Sequence, residues 1–137
     1  MRCVFCRWAA SGSRSLVFED DDTFAGVDPR QPYEGHVLVI PRLHVPTVFD
    51  LDEVVAAAVM RTTVRIAKAV KATFAPEGLS LWQSNGPAAF QEVPHFHMHV
   101  MPRWHGDDLL RIYPGEIPNL DLRGRELQAE RIRAHLD

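Results

Sequence analysis

The chain has 137 residues, of which 46% are hydrophobic, and a net charge of -3, which suits one soluble domain around one core, residues 1–137. No basic run offers a phosphate-neutralising surface, so nucleic-acid binding is not expected, and any phosphate recognised should be small and held locally. No apolar stretch approaches the length of a membrane span and Met1-Arg2-Cys3 lacks a signal-peptide pattern, so a cytoplasmic protein with no membrane partner is expected.

Cys3 and Cys6 are the two cysteines of the chain. They read as a turn too tight for a structural disulfide, and in a reducing compartment the C-x-x-C spacing favours metal ligation or redox chemistry. After a Ser11-Gly12-Ser13 loop, Leu16-Val17-Phe18 begins a strand and Glu19-Asp20-Asp21-Asp22 forms a solvated hairpin turn. Thr23-Phe24-Ala25-Gly26-Val27 is the returning strand, broken by Asp28-Pro29-Arg30-Gln31-Pro32 because proline cannot donate to a ladder. His36-Val37-Leu38-Val39-Ile40 is a near-continuous apolar run, as expected of a central strand.

Asp50 with Glu53 resembles a capping box, and Val55, Val59, Thr62, Ile66, Val70 and Phe74 then keep helical spacing up to Pro76, which predicts one long helix. Residues 79–84 alternate like a strand, and Asn85-Gly86-Pro87 opens a loop. A weak apolar stripe through Ala129, Ile132 and Leu136 predicts a C-terminal helical extension over about 121–137. Strands, a long helix, further strands and a terminal helix indicate an α+β domain.

The organising stretch is His95-Phe96-His97-Met98-His99-Val100-Met101. In a strand the three histidines share one face while Phe96, Met98 and Val100 share the other. Three imidazoles on one face are costly to bury without partners, so that face should border a cleft or a ligand. Metal chelation and nucleophilic attack on phosphorus are both open to such a set.

With Asn85 and Gln91 upstream and Gly35-His36-Val37-Leu38-Val39-Ile40-Pro41-Arg42-Leu43-His44 earlier, this run resembles the signature of the histidine triad family, over roughly residues 3–103. The resemblance implies an antiparallel sheet of about five strands with one long helix, usually in a homodimer. It also implies a nucleotide hydrolase or transferase acting at the α-phosphate of a dinucleoside polyphosphate or nucleoside phosphoramidate. By position, His97 is the implied nucleophile, His99 its phosphate-contacting partner and Gln91 a polar residue that helps hold the phosphate. Asn85 falls near the phosphate or leaving group, His36 beside the triad, Asp28 at the ribose hydroxyls, and Val4, Phe5 and Pro29 at the apolar base slot. Glu92 departs from the pattern, standing where many phosphoramidate-cleaving members have a serine that assists the leaving group.

Zinc accepts mixed sulfur and nitrogen ligands. The resemblance to bacterial members implies a structural zinc ion on Cys3, Cys6, His44 and His95. Two other classes compete with the enzyme reading: a nucleotide-binding regulatory module with little turnover, and a metalloenzyme with all three triad histidines on one metal. The long helix and the strand at 79–84, with Trp82, are the implied dimer elements.

Overall fold

The computed structural model describes residues 2–109, 113 and 115–136. The chain divides into two compact units, Met1–Asp107 and Asp108–Asp137. The first holds a five-stranded antiparallel sheet built from β1 (Leu16–Glu19), β2 (Thr23–Val27), β3 (Val37–Pro41), β4 (Gly78–Trp82) and β5 (Met98–Arg103), in the order β1-β2-β3-β5-β4. It also holds α1 (Val4–Ala9) and the long α2 (Glu53–Phe74). The second unit holds α3 (Leu122–Arg133), capped where the Asp121 side chain accepts from Gly124 N.

The two-residue period of the strands sorts the first unit into two packed faces. Ala25, Val37, Val39, Phe96 and Val100 point one way and meet Val59, Ile66 and Val70 of α2, with Met98 and Leu79 packed at the margin. Phe24, Leu38 and Ile40 point the other way and meet Phe5 of α1, joined by Cys3, Trp8 and Val93. β3 is buried along its whole length because both faces are covered, which is why its sequence is continuous rather than alternating. Gly26 answers a packing demand on the second face: a Cβ there would fall 2.2 Å from the Trp8 ring.

Several boundaries differ from the sequence expectation, the strand expected at 79–84 being Gly78–Trp82 among them. The cap of α2 is Asp52, which accepts from Val55 N. Asp50 instead closes a short 3-10 turn at Val48–Asp50, in a reciprocal box with Thr47. Two carboxylates near one helix start compete for the same role, and the one whose backbone stays extended at the helix edge wins. Cys3 and Cys6 are not in a turn: Cys3 precedes α1 and Cys6 lies within it. Finally, β5 begins at Met98, so His95 and His97 lie in the irregular approach to the strand rather than in it. The alternation nevertheless persists, because Phe96 is anchored to the α2 face by its packing and by its N–H donating to Val45 O at 2.7 Å.

Candidate active site

Residue parity at β3 and β5 brings His36 and His99 to the face lined by α1, and the approach to β5 adds His95 and His97. All four rings are constrained. His97 is buried, its Nδ1 lies 2.7 Å from the carbonyl oxygen of His95, and Phe5 packs edge-on to it with ring centroids 4.9 Å apart. A carbonyl can only accept, so Nδ1 carries the proton and Nε2 keeps a lone pair. Burial pushes the His97 pKa below the ordinary imidazole value, against the opposing pull of the His95 carbonyl, which favours the neutral nucleophilic form.

The same logic sets His95. Its Nε2 lies 2.8 Å from Pro41 O and therefore carries the proton, leaving the Nδ1 lone pair free. That nitrogen faces Cys3 Sγ at 3.4 Å, Cys6 Sγ at 3.6 Å and His44 Nδ1 at 3.1 Å, while Cys6 Sγ lies 3.5 Å from His44 Nδ1. The four ligand atoms lie within 4.8 Å of one another. A tetrahedral zinc ion at about 2.3 Å from sulfur and about 2.0 Å from nitrogen separates S–N pairs by about 3.5 Å and N–N pairs by about 3.3 Å. The cluster fits that ion in donor type, spacing and tautomer. Burial, then the hydrogen bond and charge of Cys3, raise the Cys6 thiol above its usual range, a balance that a bound cation reverses.

A second constellation joins Asp28, His36 and His99. His36 Nε2 and His99 Nδ1 share a proton at 2.9 Å. On its other edge, the buried His36 Nδ1 sits 3.7 Å from Asp28 Oδ2, with no hydrogen-bond partner within reach among the described residues. Asp28 Oδ1 is already engaged, accepting from Arg30 N at 2.9 Å. Trp82 closes this group by stacking on His99, with ring centroids 4.0 Å apart and planes 7° from parallel. Burial, followed by the charges of His97 and His36, drives the His99 pKa down to about 3.

Gln91 and Asn85 are placed as loop staples. Gln91 Oε1 accepts from Gly86 N, and its Nε2 donates to Pro46 O and Val93 O. Asn85 pairs its amide with that of Gln83 and accepts from Val48 N. These bonds shape the loop between β4 and β5 and tie it to Pro46 and Val48 ahead of α2. Arg30 engages Glu92 at 2.8 and 3.3 Å across exposed surface, tying the Asp28 loop to the same segment. Of the implied base-slot residues, Phe5 is buried beneath the histidines, whereas Val4 and Pro29 are exposed.

A family model described as the HIT domain matches residues 11–106. This chain belongs to the HIT family. Among HIT relatives it is 37% identical over 103 residues to Protein hit of Bacillus subtilis, covering 74% of this chain and 71% of the relative. It is 34% identical to the adenylylsulfatase HINT3 of Arabidopsis thaliana (78% and 55% covered) and 32% identical to the adenosine 5'-monophosphoramidase HNT1 of Saccharomyces cerevisiae (74% and 62% covered). A HIT family crystal structure from Bacillus subtilis superposes with a TM-score of 0.87 at 29% identity, covering 100% and 99% of the two chains. A zinc-bound histidine triad protein from Mycobacterium smegmatis does so with a TM-score of 0.73 at 31% identity, covering 99% of each.

Trp82, expected from the sequence on a strand at the dimer contact, also lies flat against His99 within the chain, a contact that sequence reasoning missed. The available signal was parity: Trp82 shares a face of β4 with Ser80, opposite that of Leu79, which packs toward α2.

The depressed imidazoles make stability depend on pH. A ring whose pKa is lower folded than unfolded makes the unfolded chain bind more protons, so its contribution is complete above the unfolded value of about 6.5 and is lost as pH falls. For His99 that window runs from 6.5 to about 3. Within it the slope is about 1.4 kcal/mol per pH unit per proton. Denaturant unfolding between pH 4 and 6 should show a shallower slope in His99→Gln than in the unsubstituted chain, by roughly one proton. Equal slopes would show that His99 is not held neutral.

Proposed function

We propose that this HIT protein is a nucleotide hydrolase or transferase acting at the α-phosphate of a nucleoside phosphate derivative, through a nucleotidyl group carried on His97. The observation that carries the reading is the 2.7 Å bond between His97 Nδ1 and the His95 carbonyl. It presents Nε2 as a lone pair on a neutral ring and strengthens as the ring becomes cationic. The Nε2 pair forms a bond to phosphorus as the bond from phosphorus to the leaving group breaks, and the leaving group keeps that electron pair and takes a proton from solvent. Water then attacks phosphorus, the P–N bond returns its pair to Nε2, and the water releases a proton.

In this reading His99 meets the phosphoryl oxygens. An anionic phosphoryl group arriving there favours a proton on the His99–His36 pair, with the Asp28 carboxylate as a balancing charge. Asp28 also accepts from the ribose hydroxyls, Phe5 with Val4 and Pro29 borders the base, and Gln91 and Asn85 hold the loop beside the phosphate. The adenylyl and adenosine monophosphate groups in the names of the Arabidopsis and yeast relatives support a nucleotide substrate. Among the described residues, no group of metal-capable atoms includes all three triad rings, which weighs against a metal held by the triad.

The test is His97→Ala, assayed on adenosine 5'-phosphoramidate and on diadenosine tetraphosphate. Turnover should fall by orders of magnitude while nucleotide affinity is broadly retained. The unsubstituted protein, quenched in alkaline denaturant during turnover so that the acid-labile P–N bond survives, should gain the mass of one nucleotidyl group. Near-normal kcat in the variant removes the assignment of His97.

Cys3, Cys6, His44 and His95 hold a zinc ion in this proposal. Four protein ligands fill a tetrahedral site, so the ion is structural: it fixes the His95 ring and with it the carbonyl that orients His97. Protein purified without chelator should contain about one zinc per chain, and Cys3→Ser with Cys6→Ser should lose both the metal and several degrees of Tm. Metal-free protein of unchanged stability refutes this role.

The assembly proposed is a homodimer built on α2 and β4. β4 is an edge strand of the sheet, and Met60 and Val64 of α2 and Leu81 of β4 leave apolar side chains exposed, a surface that a twofold copy covers. Sedimentation at micromolar concentration should give twice the chain mass. A clean monomer there excludes the dimer and leaves His97 unaffected.

A further inference from the structure

We propose that Trp82 is a positioning residue that sets the tilt of the His99 ring, so that the edge left free by His36 meets the phosphoryl group. The inference rests on the reading of His97 as nucleophile, but its own support is geometric. Trp82 and His99 are directly opposed across β4 and β5. Their rings lie 4.0 Å apart and within 7° of parallel, whereas His36 and His97 meet the same imidazole at 32° and 60°. Trp82 is thus the one ring described that lies flat against His99, and it is itself half-buried rather than free on the surface.

Two restraints of different kind then act on one torsion. The terminal χ2 of histidine is broad and roughly two-fold, so packing rather than intrinsic preference must fix it. The 2.9 Å contact between His36 Nε2 and His99 Nδ1 chooses which edge of the ring faces His36. That bond leaves the ring free to rock about the line joining the two nitrogens. A flat indole against one face removes the rocking, because any tilt drives the imidazole into the stack or opens a gap beside it. The indole is well anchored for this purpose, since its strand pairs with β5 from Gly78 to Trp82 without a register break.

A residue that only fills space would be replaced equally well by any apolar side chain of similar size, and that contrast supplies the test. Trp82→Phe keeps a stacking face, whereas Trp82→Leu keeps apolar volume and loses it. With adenosine 5'-phosphoramidate as probe, Trp82→Leu should lower kcat tenfold to a hundredfold with KM within about twofold. Trp82→Phe should recover most of that loss. His36→Gln combined with Trp82→Leu should cost less than the product of the single losses, because both act through one ring. Equal kcat in the Leu and Phe variants, or losses that simply multiply, overturn the proposal. Nitrogen-15 spectra of the imidazoles give a readout independent of turnover. His99 should keep one sharp, hydrogen-bonded Nδ1 signal in Trp82→Phe and broaden or shift in Trp82→Leu, while the His97 signals that report an intact fold stay in place. An unsubstituted protein inactive on both adenosine 5'-phosphoramidate and diadenosine tetraphosphate refutes the His97 reading alone, and an unchanged His99 signal in Trp82→Leu refutes the role of Trp82 alone.

Discussion

His95 is the residue on which the rest of the site depends, and it acts through three separate atoms. Its Nε2–H donates to Pro41 O at the end of the central strand, its Nδ1 lone pair faces the two thiols and His44, and its backbone oxygen holds His97 Nδ1. Each bond determines the next. The Pro41 carbonyl decides which nitrogen of His95 can bind a cation, and the placement of His95 decides where its carbonyl stands. That carbonyl then decides the tautomer of His97. A fully buried imidazole is expensive unless its nitrogens are satisfied, and here satisfying them is what arranges the chemistry.

The sheet makes this arrangement possible by separating two tasks onto two faces. α2 covers the face where Val39, Phe96 and Val100 pack against Val59, Ile66 and Val70. Among the described residues, the opposite face is lined by the short α1 and by loops, and it holds the four imidazoles of His36, His95, His97 and His99. Because α1 carries Cys6 and is preceded by Cys3, the helix that packs Phe5 beneath His97 is also tied to His95 and to His44 beyond β3. The cysteine cluster therefore connects three segments that are far apart in sequence.

The loops around the site are held by side-chain amides in place of regular secondary structure. Gln91 and Asn85 together bond the backbone of Gly86, Pro46, Val93 and Val48. They act on the shape of the loop. Trp82 and His36 play the corresponding part for His99, one by a flat face and the other by a hydrogen bond.

Much of this was legible in the sequence because it depends on local periodicity. The long helix followed from its spacing of apolar residues, the central strand from its unbroken apolar run, and the segregation of histidines from Phe96, Met98 and Val100 from alternation. The separate cysteine and histidine segments were legible as a ligand set only through family resemblance, since nothing local to any of them specifies the other. What the tertiary structure alone decided was contact at long separation. It moved the cap of α2 to Asp52, left His95 and His97 ahead of β5 and engaged Gln91 with backbone. It also laid Trp82 on His99, a pairing set by the register of β4 on β5. Tautomers belong to the same class: which nitrogen of His95 or His97 bears a proton depends on a carbonyl oxygen placed by folding, and no pattern of residue types along the chain encodes that.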